Sequence, residues 1–269
     1  MVKDLADNPI WQRLTRGWHR PSLWGMICIA VVLLALSLAI GLYSFLVDRG
    51  RWTPLYTLMF DVAWAVTLLS PLAITMTAAI LTARDGRSEI GQLVRISLLS
   101  HAALMQGYLF SAFHRLRLLL TVYVGLSPLL VIGMMQIHIS YRFATICYPG
   151  SSCGIDAVMA PPHIAGPLIA YAGVIIAVLG LNWLGAVLGV GLALLARRAT
   201  ETVIGLAALV YVLGAGLLVT VLARDAAALP YNSIQTILAF VAPSWIPYAL
   251  APTTARLVMR LYAAKPVLA

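Results

Sequence analysis

Charge is what this sequence has least of. Only 10% of its 269 residues are Asp, Glu, Lys or Arg, while 62% are apolar. A water-soluble domain of this length needs more charged side chains than that to cover its surface. The scarcity excludes a soluble domain and leaves a polytopic, all-α membrane protein. Acids are the rarer sign, nine against eighteen basic residues, for a net charge of +9. The surplus does not point to nucleic acid, because the basic residues lie in short segments beside apolar runs, where they set topology and touch anionic lipid. Cysteine is nearly absent, with three residues. Cys28 lies inside an apolar run and reads as a small buried hydrophobe. Cys147 and Cys153 flank YPGSS in a polar loop. A turn rich in Pro and Gly can bring two cysteines within bridging distance, so they are a candidate disulfide if the loop faces an oxidising compartment.

Several signatures are missing altogether. No GxxxxGK[ST] loop is present to cradle a nucleoside triphosphate, so ATP hydrolysis by this chain alone is not expected. There is no HExxH, no Cys/His cluster at zinc spacing and no GxSxG, and the carboxylates are scattered. The expectation is a chain that is not an enzyme and carries no cofactor or metal. His138 and His163 are the pair a haem or pigment would use, but polar residues at loop ends are ordinary. The first apolar run has no small-x-small cleavage site and is expected to stay in the membrane.

What the sequence does have is a succession of long apolar runs. Residues 24–46 contain no charge, and at about 1.5 Å per residue they cross a hydrocarbon core of about 30 Å. Further runs predict membrane helices over approximately 55–81, 104–137, 164–196, 203–223 and 233–250, followed by a basic tail over 251–269. Pro71 predicts a kink in the second helix. Asp61, close to that helix's start, reads as an interfacial acid rather than an ion-coupling one. The fourth helix is rich in Gly and Ala, which allows close helix approach. Before the first helix, residues 1–22 place Ile10, Trp11, Leu14 and Trp18 at helical spacing, with Arg13, Arg16 and Arg20 at other angles. That pattern predicts a short helix lying in the headgroup layer.

Lys and Arg fall unevenly on alternate sides of these six spans, fourteen on the side of the N-terminus and four on the other. The imbalance places both termini and the connection between the second and third helices in the cytoplasm. That connection is the longest polar interruption and holds five of the eighteen basic residues. Over 88–99, Ile90, Leu93, Val94, Ile96 and Leu98 gather mainly on one helical face, while Glu89, Gln92 and Arg95 follow at intervals of three. A short amphipathic helix parallel to the membrane would bury the first set and present the second to a soluble partner.

The order of parts resembles a permease subunit of an ABC transporter of the second exporter class. The likeness rests on NPIWQRL before the first helix, six helices with both ends inside, and the charged connection. In that connection the family carries an acidic-basic cluster, a Gly-Thr pair, a leucine run, a Thr-Pro or Ser-Pro step and a later Gly-Lys. Here Arg84-Asp85 stand for the cluster, Leu93 for the leucine run, Ser97 for the Thr and Gly107 for the last Gly. Glu89-Ile90 replace Gly-Thr, Leu98 replaces the proline and Tyr108 the lysine. The resemblance implies a bacterial-type cell membrane and a homodimer or a heterodimer with a related permease. It also implies a cytoplasmic ATP-binding subunit docked on Arg84, Asp85, Arg87, Glu89, Gln92 and Arg95, and a substrate path along the dimer interface. The departures in the connection leave a second expectation open, a non-transporting structural subunit that keeps the permease fold among other membrane subunits of a larger assembly.

Overall fold

The computed structural model describes residues 8–16, 22–46, 54–86, 88, 100–144, 165–196 and 234–264. Seven helices and no strand form among the described residues: α1 (Pro9–Thr15), α2 (Leu23–Leu46), α3 (Pro54–Asp85), α4 (His101–Arg115), α5 (Arg117–Ala144), α6 (Ala165–Ala196) and α7 (Ile234–Ala264). Three stretches are long and apolar enough to cross a bilayer: Leu23–Ser44, Leu55–Asp85 and Ile175–Leu195. The consecutive helices α4 and α5 make a fourth if they are one broken span. The chain is therefore all-helical, with three to four candidate membrane spans among the described residues. The expected helix over 203–223 lies outside them, as do Cys147, Cys153 and His163.

Helix α6 lies between α3 and α7, while α5 lies between α2 and α3. Small residues set these distances, because in a bilayer helix association depends on close van der Waals fit rather than on expelling water. A Cβ on Gly189 of α6 would fall 2.3 Å from the Thr75 carbonyl oxygen of α3, so the two backbones touch there. On the other side of the bundle a Cβ on Gly125 of α5 would fall 2.5 Å from the Cβ of Leu33 of α2. The Ser37 hydroxyl of α2 donates to the Gly125 carbonyl at 2.9 Å across the same contact. Ser37→Ala should therefore lower stability by about 0.6 kcal/mol, the average for a hydrogen bond between membrane helices. The thermal midpoint of the detergent-solubilised protein would read this as a small decrease.

Apart from this seam α2 faces outward, with Trp24 75% and Val32 64% exposed. No other described helix covers this surface, which is apolar enough to face lipid. Cys28 sits on it as a free, exposed thiol. The expected buried cysteine is corrected: an apolar run predicts immersion in hydrocarbon, which is not the same as contact with the bundle. Asp61 likewise lies on the exposed side of α3.

Two boundaries differ from expectation. The third helix, expected as one rod over 104–137, is broken at Leu116 into α4 and α5, which meet at a bend of 61°. The break falls among His114, Arg115 and Arg117, the most basic point of the run, where a straight continuation would carry cations into hydrocarbon. The last helix, expected to end near 250, continues to Ala264 through Pro243, Pro247 and Pro252. Each proline removes one backbone donor, yet Ala251, Ala255, Met259 and Tyr262 pack against the main hydrophobic cluster and hold the helix in register.

Candidate partner-docking site

The segment expected to meet a partner leaves α3 at Gly86 and re-enters the bundle at Ser100. Its two roots are built from residues far apart in sequence. Helix α1 starts at an Asn-Pro pair: the Asn8 side chain accepts from the backbone N–H groups of Ile10 and Trp11 at 3.0 and 3.3 Å, and Pro9 occupies the first turn. Both residue types suit a helix start. The same Asn8 side chain donates through Nδ2 to the Ala103 carbonyl of α4 at 2.7 Å, fastening the start of one helix to the start of the other. Ser100 caps α4 in turn, accepting from the N–H of Ala103.

Helix α1 then runs along α4. Ile10 is fully buried, and it reaches that depth because residue 107 is glycine. A Cβ there would lie 2.9 Å from the Cβ of Ile10 and 3.0 Å from Oδ1 of Asn8. Trp11 meets His114 edge to face at 5.0 Å between ring centres. Arg115 donates to the Leu14 carbonyl at 3.2 Å, satisfying an acceptor at the end of α1. The helix expected to lie flat in the headgroup layer is thus short and held by protein on its apolar side.

Asp85 joins the three helices. It is the last residue of α3, where the helix dipole already concentrates negative charge, and its side chain is only 7% exposed. A carboxylate so placed needs donors, and it has them. Arg13 of α1 forms an ion pair and hydrogen bond with Oδ1. The Tyr108 hydroxyl of α4 donates to Oδ2 at 2.6 Å. The Tyr108 side chain is itself buried, 3% exposed, so this bond lies inside the molecule.

Of the six expected docking residues, Arg84 is exposed at the end of α3 and Asp85 is turned inward. Arg87, Glu89, Gln92 and Arg95 lie outside the described residues. The structure brings Asp85 together with Arg13 and Tyr108, neither of which the docking expectation included. The Asn8-Pro9 start was a usable signal for α1, and an acid in a basic stretch was a signal that it needs a partner. Which partner was not written locally. A second unanticipated residue is Asn182 of α6, 1% exposed inside a candidate span. Its Nδ2 donates to the Val178 carbonyl at 3.0 Å within the same helix.

Asp85, at the end of α3, is bonded to Tyr108 of α4 and to Arg13 of α1, and α1 itself packs along α4. The described residues on either side of the segment over 87–99 are therefore joined to each other. Comparison of the chain with protein-family models, with curated proteins and with solved structures finds no match.

Proposed function

We propose that this chain is the transmembrane permease subunit of an ATP-driven exporter, paired with itself or with a related permease. In this reading a separate cytoplasmic ATP-binding subunit docks on the segment between α3 and α4, the six-span layout holds, and both termini are cytoplasmic. The observation that supports it best is the joining of the segment's roots through Asp85, Arg13 and Tyr108. Docking energy becomes work on a membrane domain only if the docked element moves the spans with it, and a handle tied to α1, α3 and α4 does so. The gathering of Arg13, Arg84 and Arg115 around this end of the bundle agrees with a cytoplasmic face.

The reading predicts co-purification of a nucleotide-binding subunit with the chain. Reversing both docking charges, Glu89→Arg with Arg95→Glu, should remove that subunit while leaving the chain folded. Its retention at full stoichiometry would exclude this role for the segment.

A structural subunit of a larger membrane assembly is the second reading. It is favoured by the inward commitment of Asp85, which leaves one fewer charge of the cluster to meet an ATPase. Transport in liposomes that depends on ATP would exclude it.

A further inference from the structure

Between α4, α6 and α7 lies a groove of about 510 Å³, a volume within the range of about 300–1,000 Å³ usual for small-ligand sites. Its walls are apolar, with Leu109 from α4, Trp183 and Val187 from α6 and Met259 from α7. Phe113 stacks on Trp183 at 5.4 Å between ring centres and steadies that wall. The polar exceptions to this lining are Gln106 of α4 and a pair of cations, Arg256 and Arg260 of α7. They are one helical turn apart, so they project from the same face and repel each other. Both are exposed, and neither forms an ion pair among the described residues.

Hydrocarbon walls and an uncompensated guanidinium pair call for one ligand with both characters. We propose that the groove binds an anionic phospholipid, an acyl chain lying against Trp183 and Met259 and the phosphate held by Arg256 and Arg260. The planar guanidinium fork matches phosphate oxygens two at a time, which an ammonium does not. A zwitterionic lipid offers the same phosphate but brings an ammonium that the arginines repel, so the site selects net negative headgroups. Basic pockets between membrane helices are suited to such headgroups on general electrostatic grounds. The bound phosphate also removes the repulsion between the two arginines and stiffens the last turns of α7. None of this depends on the exporter reading.

The test is native mass spectrometry of the full chain released from mild detergent, after incubation with phosphatidylglycerol or with phosphatidylcholine of the same acyl chains. Phosphatidylglycerol should stay bound in preference. Removing both charges with Arg256→Gln and Arg260→Gln should weaken its retention by about thirtyfold, given the contribution of each cation at a membrane surface, and abolish the preference. Ala102→Trp, at an exposed position on the groove wall, should reduce retention of both lipids without touching the charges. Equal retention of phosphatidylglycerol by the glutamine variant and the unaltered chain overturns the proposal. So does a second copy of the chain, rather than lipid, departing when Ala102→Trp is introduced.

Discussion

Arg13→Ala should destabilise the purified protein by about 3 kcal/mol, the lower end of what breaking a buried ion pair costs. The argument turns on what remains. The Asp85 side chain is 7% exposed, and it terminates α3, where the dipole disfavours negative charge. Without Arg13 its Oδ1 has lost its donor in a place water does not reach, and only the Tyr108 hydroxyl still binds it. The converse change, Asp85→Ala, leaves the Arg13 side chain, which is 27% exposed and can swing its long stem into water. That variant should lose about 1–2 kcal/mol, since partly exposed Arg13 is rescued by solvent and the loss comes mainly from the buried Tyr108 hydroxyl, which gives up this acceptor. The double variant should be more stable than the sum of the two losses implies, because neither charge is left behind. Chemical denaturation in detergent measures all three, and hydrogen exchange over Pro9–Thr15 shows whether α1 has come away from α4. Two single variants within 0.5 kcal/mol of the unaltered chain, about the scatter of surface substitutions, would show that the pair ties nothing together.

The second large effect is expected from Gly189→Leu. A Cβ at that position meets the Thr75 carbonyl oxygen at 2.3 Å, the Ala78 Cβ at 3.2 Å and the Ala79 nitrogen at 3.2 Å. Two of those atoms are backbone, so rotating a side chain cannot relieve the contact. Helices α3 and α6 would have to part. The cost should reach or exceed about 3 kcal/mol, the upper end of ordinary overpacking, and appear as a lower thermal midpoint and loss of monodisperse protein. Gly25→Ala is the control: its Cβ would meet only the Ser22 hydroxyl at 3.1 Å, at the exposed start of α2. That change should stay within about 1 kcal/mol of neutral, the range of helix propensity. If the two variants behave alike, α3 and α6 are not held at backbone contact.

The contrast between Gly189 and Gly25 also shows how far the sequence could be read. Both lie in apolar runs and are indistinguishable by hydropathy. The Gly and Ala content of residues 164–196 announced close approach, but not that α3 would be the helix approached, nor that Thr75 would be the point of contact. Arg13 is the same case among polar residues. Its angle on α1 was legible from periodicity, and a basic residue beside a membrane helix is ordinarily turned to headgroups. It is turned instead to an acid 72 positions away. Tyr108 looked like a departure from a motif, and only contact with Asp85 gives the hydroxyl a role. The break at Leu116 was half legible: the cluster of His114, Arg115 and Arg117 marked a place hostile to hydrocarbon, while the 61° turn itself goes with the packing of α4 against α1, α3 and α6.

By itself, then, the sequence determined that this chain is helical and built largely for lipid, because hydropathy summed over some twenty residues is decided locally and no tertiary contact reverses it. Tertiary structure alone decided which of its few charges are spent inside the molecule and which stay available. Burying an ion costs too much unless a partner arrives at the right distance, and whether one arrives depends on how α1, α3 and α4 meet rather than on any stretch of residues read alone.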